Sequence, residues 1–124
     1  MIVSRAMRQA VNALLGGLLI DGDAVLGVSL ILPVEAVPVD RAREAYAAMV
    51  ALAERGEHVD YVTVCAELER RGTLDDVGEA ALIETINRCP SSLYVEDYAR
   101  LLAEDANRRR QPEAGGLPVG AMTW

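Results

Sequence analysis

Apolar residues recur at helical spacing along almost the whole chain. Met7, Ala10, Val11, Leu14, Leu15, Leu18 and Leu19 fall at i, i+3, i+4, i+7, i+8, i+11 and i+12, one continuous stripe on one helix face. Ser4 stands where its hydroxyl can cap that helix. Asp21 or Asp23 is placed to cap a short second helix through Val25, Val28 and Leu32, which Pro33 ends. Residues 33–39 are expected outside helix, because Pro33 and Pro38 lack N–H donors and push their predecessors toward extended geometry. Asp40 reads as the N-cap of a third helix that buries Ala42, Ala45, Tyr46, Met49, Val50 and Ala53 and stops at Gly56. Asp60 caps a fourth, with Tyr61, Val64, Cys65 and Leu68 inward, Glu67, Glu69, Arg70 and Arg71 outward, and Gly72 closing it. Leu82, Ile83 and Ile86 mark a fifth helix ended by Pro90. Ser91 or Ser92 opens a sixth through Val95, Tyr98, Leu102 and Ala106. Glu96 and Asp97 in its first turn and Arg108, Arg109 and Arg110 in its last complement the helix dipole.

No stretch alternates with period two and no segment repeats. The pattern predicts an all-α fold, a compact single-domain bundle of about six short helices over residues 1–110. From 111 to 124 the chain is Pro/Gly-rich and aperiodic, so it is expected to be a flexible tail. A chain of 124 residues can bury a core without staples, and 52% hydrophobic with 25% charged residues is a globular balance. With no Phe and mostly Ala, Leu and Val, the core is suited to closely packed helices.

Charge narrows the function. The net charge is −7, and seven carboxylates between Glu57 and Glu79 face only Arg70 and Arg71. Such a chain is repelled by phosphate backbones and anionic bilayers, so direct nucleic-acid or membrane binding is disfavoured. The apolar run 10–20 is too short to span a bilayer and is interrupted by Asn12, Gly16 and Gly17, which leaves a cytoplasmic protein as the expectation. Cys65 and Cys89 lack metal-site spacing and read as buried thiols on apolar stripes.

Reactive chemistry is scarce. His58, the only histidine, sits in a joint between two helices with no second ligand at metal spacing. There is no nucleophile elbow, HExxH helix or calcium loop, and the glycines at 115–120 lack the Lys-Ser/Thr that a phosphate loop needs. No catalytic residue, cofactor site or metal site is expected, and the chain by itself is not expected to be an enzyme. The helices around Gly72 could form a helix-turn-helix, but the second would open at Gly78-Glu79-Ala80-Ala81 behind Asp75 and Asp76. Carboxylates there would meet phosphates where a reading helix needs Arg, Asn or Gln. The three arginines at 108–110 are read as helix-end partners of the dipole.

The ordered series of motifs is more specific than any one of them. It runs Gly56-Glu57 and Asp60; Val62-Thr63; Leu68, Arg71 and Gly72; Leu74, Asp76, Val77 and Gly78; Leu82; Pro90-Ser91; then Tyr98-Ala99 with Leu101 and Leu102. In this order the chain resembles the N-terminal domain of the DnaB family of replicative DNA helicases. Upstream, Leu15-Gly16, Leu18, Leu19 and Asp21 resemble its first helix, Glu35 falls in its Pro-Glu-Asp-Phe segment and Ala48-Met49 in its third helix. The match runs over about Ala10 to Arg110.

The resemblance implies a non-catalytic domain of DNA replication whose work is protein–protein contact, with primase and with neighbouring helicase subunits. The acidic segment then supplies candidate partner-binding residues: Glu57, Asp60, Glu67, Arg71, Asp75 and Asp76, whose charges would steer a basic partner surface. The chain departs from the family in several places. Gln9-Ala10-Val11-Asn12 stands where the family has Glu-Ala-Glu-Gln, Val37-Pro38 replaces Phe-Tyr, and Ala81 replaces a Tyr. Pro112 is expected to end the last helix before a collar-building hairpin, which implies a monomer or weak homodimer. The alternatives are an N-terminal fragment of a full ATP-dependent DNA helicase and, further off, a small helix-turn-helix DNA-binding regulator.

Overall fold

The computed structural model of the protein describes residues 3–114, with side chains for residues 3–109. Seven α-helices run in chain order: α1 Arg5–Ile20, α2 Val25–Ile31, α3 Asp40–Glu54, α4 Tyr61–Arg71, α5 Leu74–Val77, α6 Glu79–Arg88 and α7 Val95–Ala114. Three 3-10 turns, Gly22–Ala24, Val34–Ala36 and Ser92–Tyr94, link them, and the described residues contain no strand. The all-helical expectation holds, and α5 raises the expected six helices to seven.

The amphipathic stripe of the first helix becomes the axis of the domain. Leu14, Leu15, Leu18 and Leu19 are buried, and α1 lies against α6 on one side and α7 on the other. Two neighbouring glycines permit this. A Cβ built on Gly16 would stand 2.0 Å from the Thr85 carbonyl oxygen of α6, and one on Gly17 would stand 2.4 Å from Val95 Cγ1. The backbones therefore approach more closely than any side chain allows, as small residues at helix crossings permit. The second layer is α3, packed on α2, α4 and α5. Its Tyr46 is fully buried and donates to the Leu32 carbonyl at 2.8 Å, tying α3 to the end of α2; burial pushes this phenol's pKa up.

Several caps fall where the sequence puts them. Ser4 accepts from the Met7 N–H at 3.1 Å, and Ser91 accepts from Leu93 to open the 3-10 turn before α7. Others differ. Neither Asp21 nor Asp23 caps α2, because the Gly22–Ala24 turn intervenes and Ala24 takes the N-cap position. Val39 is the N-cap of α3, and Asp40 is its first residue, pairing with Arg43 at 2.8 Å. Ile83 is 45% exposed: the core side of α6 is carried by Leu82 and Thr85, with Ile86 only partly covered. Cys89 is the C-cap of α6, and it and Cys65 are free, partly buried thiols.

The last helix is longer than expected. It continues to Ala114, past residue 110 and through Pro112, whose missing N–H forfeits a bond close to the helix end without ending it. Arg108 and Arg109 consequently lie before the final turn, each paired to Asp105. The rest of the expected tail, 115–124, lies outside the described residues.

Replacing Gly16 by Ala tests the α1–α6 crossing. The added methyl meets backbone rather than a movable side chain, so we expect a net loss of about 2 kcal/mol or more, outweighing the ~1 kcal/mol gain in helix propensity. A urea melt of Gly16→Ala, with its midpoint lowered against wild type, is the check. An unchanged midpoint would mean that the crossing tolerates separation.

Candidate functional site

The joint between α3 and α4 holds most of the polar residues singled out in the sequence. The chain leaves α3 through Gly56 at φ +77, with the Gly56 N–H on the Ala53 carbonyl and the Glu57 N–H on the Leu52 carbonyl. That pair of bonds is the Schellman motif, which needs the left-handed residue that glycine supplies. The same motif ends α4: Gly72 at φ +78 bonds Glu69, and Thr73 bonds Leu68. Between the two, Asp60 and Thr63 form a reciprocal capping box, each side chain accepting from the other's backbone N–H at 2.9 Å. The Thr63 backbone bond is the main reason the Asp60 carboxyl sits below its usual range. Val59 is buried against Gly22, where a Cβ would lie 2.1 Å from the Val59 carbonyl oxygen. His58 points outward, its Nε2 3.2 Å from Asp60 Oδ2. The described residues contain no cluster of three His, Cys, Asp or Glu able to hold a metal ion.

Glu67 overturns part of the sequence reading. Its place on α4 predicts an outward carboxylate, yet it is 4% exposed. It accepts from Arg55 at 2.9 Å, from Arg71 at 2.8 Å and from Arg70, while Arg55 also grips Glu57 at 2.8 Å. The cause is the joint itself. The Schellman turn folds the end of α3 back beside α4, so Arg55 reaches across to Glu67, which already has Arg70 and Arg71 one turn on. Hydrogen bonds from Arg55, then Arg71, hold the Glu67 carboxyl at about 2, against the opposing effect of burial. The Arg55 bond lowers Glu57 as well.

The six candidate partner-binding residues thus differ in setting. Glu67 is buried at the centre of an ion cluster whose other members, the exposed Glu57 and Arg71 among them, reach the surface; Asp60 is a cap, and Asp75 and Asp76 are exposed on α5 without an ion pair among the described residues. A different exposed set escaped the sequence reading. Leu30 is 89% and Leu93 84% exposed, with Leu26, Tyr94 and Leu101 about half exposed. They sit on α2, the Ser92–Tyr94 turn and α7, and both of the first two pack on α7. The signal was present: Leu26 and Leu30 fall four apart, off the Val25–Val28–Leu32 stripe.

The helix order and the joint agree with one family. Residues 4–104 match the family model of the DnaB-like helicase N-terminal domain. The chain belongs to this family. As a DnaB-type N-terminal domain it is 38% identical over 107 residues to the replicative DNA helicase DnaB of Mycobacterium leprae, covering 86% of this chain and 18% of that protein. It is 37% identical over 107 residues to DnaB of Geobacillus stearothermophilus, covering 82% and 23%. The crystal structure of the N-terminal domain of DnaB helicase from Mycobacterium tuberculosis superimposes with a TM-score of 0.82 at 37% identity, over 87% of this chain and 79% of that one. The chain therefore spans about a fifth of the length of the helicases it matches. What it shares with them is the N-terminal domain, outside the ATPase motor. No single helix among the described residues is long and apolar enough to cross a membrane.

Glu67 sets a pH dependence for this DnaB-type domain. Its folded pKa lies below the ordinary 4.5, so the unfolded chain binds the extra proton between about 4.5 and about 2. The cluster's contribution is complete above 4.5 and is lost as pH falls toward 2. Glu67→Gln should cost about 2 kcal/mol at pH 7, because hydrogen bonds to a charged group are lost while three guanidinium groups remain crowded. Urea melts from pH 7 to pH 2.5 should show the curves of the wild type and the Glu67→Gln variant converging at the acid end; parallel curves would exclude Glu67 as the titrating group.

Proposed function

We propose that this chain acts in DNA replication as a non-catalytic docking domain that binds primase, replicative helicase subunits, or both, in the cytoplasm. The observation that carries the proposal is the contrast between its polar and apolar residues. Among the described residues no buried side-chain polar atom lacks a hydrogen-bond partner, while large apolar side chains such as Leu30 and Leu93 stand in solvent. Exposed apolar side chains rimmed by charge are characteristic of protein contact surfaces. Glu96, Asp97 and Arg100 surround this region on α7, with Arg100 paired to both carboxylates, and would form its polar rim. Family membership supports the replication setting. Asp75 and Asp76 remain candidates for steering a basic partner.

The helix-turn-helix alternative has little support. Two exposed aspartates and Glu79 stand where a reading helix would need hydrogen-bond donors. The fragment alternative, in which a longer polypeptide carries the ATPase motor, is decided by whether the gene continues past Trp124 into a Gly-Lys-Thr/Ser phosphate loop.

The purified chain should hydrolyse no ATP with or without single-stranded DNA, run as a monomer or weak dimer in light scattering, and capture purified primase or helicase from its own organism. The double variant Leu30→Asp/Leu93→Asp should weaken that capture about tenfold or more, since both positions lie on the surface and the fold is kept. Failure to capture either protein, or ATP turnover by the chain itself, would refute the proposal.

A further inference from the structure

Most arginines among the described residues are paired. Arg43, Arg55, Arg70, Arg71, Arg88, Arg100, Arg108 and Arg109 each contact a carboxylate within 4 Å. Among the described residues, Arg5, Arg8 and Arg41 pair with none; Arg8 donates only to the Val3 carbonyl, at 3.4 Å. These three occupy the opening turns of α1 and α3. There the helix dipole disfavours cations, so helix stability does not account for their position. Arg8 and Arg41 also line the same groove.

The groove has a volume of about 210 Å³ and runs between α1, α3, α5 and α6. Val11, Leu15, Ala45 and Leu82 form its floor, and the small side chains of Ala42 and Ala81 leave it open. No carboxylate lines it; Asp75 and Asp76 lie on α5 beside the lining residue Val77 but are not part of the wall.

We propose that this groove docks an acidic peptide segment of a protein partner, taking one aromatic or branched apolar side chain onto the floor while flanking carboxylates meet Arg8 and Arg41. The volume suits one large side chain. The two unpaired guanidinium groups supply the complementary charge, in a molecule whose net charge of −7 otherwise repels acidic partners. The apolar floor favours a peptide over a nucleic-acid phosphate, which would leave that floor uncovered. This inference deepens the docking function and rests on it.

The test is an NMR titration of the chain with an N-acetylated, C-amidated pentapeptide, Asp-Asp-Phe-Asp-Asp, at low salt. Saturable shifts confined to groove residues are expected. The Phe→Ala peptide, the all-Asn peptide and the Arg41→Glu protein should each bind about tenfold or more weakly, as expected when an anchor or a charge partner is removed. Ala81→Trp, an exposed position, should block the groove while leaving the circular dichroism spectrum unchanged. Absence of saturable shifts at millimolar peptide, equal binding of the Asn peptide, or shifts mapping elsewhere would overturn the proposal. So would tighter binding of a DNA oligonucleotide at the same residues, or concentration-dependent broadening of them without peptide, which would assign the groove to a second copy. Peptide binding without capture of primase or helicase would keep the groove and discard that identification of partners. Capture without peptide binding would discard the groove alone.

Discussion

Contact between the backbones of α1 and α6 at Gly16 governs the placement of the other helices. With a Cβ excluded on the Thr85 side and on the Val95 side, α1 can lie between α6 and α7 as a shared wall. Leu14 and Leu18 then reach full burial with small and branched neighbours, and a core without Phe closes. Moving α1 outward by the radius of a methyl group would open voids along both of its faces, and close-packed interiors tolerate such gaps poorly. The composition and the crossing depend on each other: a core of Ala, Val and Leu has volume for this spacing only.

The joints around α4 solve a different problem, that of fixing angles. Each end of α4 is terminated by side-chain or glycine chemistry rather than by packing alone. The Gly56 and Gly72 turns satisfy helix-end carbonyls, and the Asp60–Thr63 box satisfies helix-start N–H groups. The Glu67 cluster then stitches the C-terminus of α3 to the flank of α4 with one carboxylate and three guanidinium groups. The stretch Gly56-Glu57-His58-Val59-Asp60 is in this chain a set of instructions for a corner. His58, the one residue in it with chemical potential, faces solvent.

Much of this was legible in the sequence, for local reasons. Stripes at helical spacing, Ser4, Asp60, Gly56 and Gly72 each act within a few residues of themselves, so their structural roles can be inferred from neighbours. The misplacements share one property, which is that a more distant part of the chain decides them. Glu67 is buried because Arg55, twelve positions earlier, is folded onto it. Ile83 is exposed because α1 presses on the Leu82–Thr85 side of α6. The extra 3-10 turns and the Val39 cap reflect how the corners must bend to bring α2 and α3 together. The exposed leucines of α2 were visible as apolar residues off the stripe, but only the fold shows that no described helix of this domain covers them.

A stiff body suits the docking role proposed for this domain. Association loses less free energy to ordering when the contact surface is already fixed, and here the elements bearing Leu30, Leu93 and Leu101 are held on α7, which is itself anchored along α1. The same holds for the groove, whose walls come from α1, α3, α5 and α6 and so depend on both the Gly16 crossing and the α4 corners. Substitutions that loosen either feature would alter surfaces far from the altered residue. Changes of exposed groove-lining side chains such as Ala81, by contrast, reshape the groove without disturbing the frame. The frame and the groove surface are in this sense separable: the crossing and the corners set the helix order, and exposed lining positions vary independently of them.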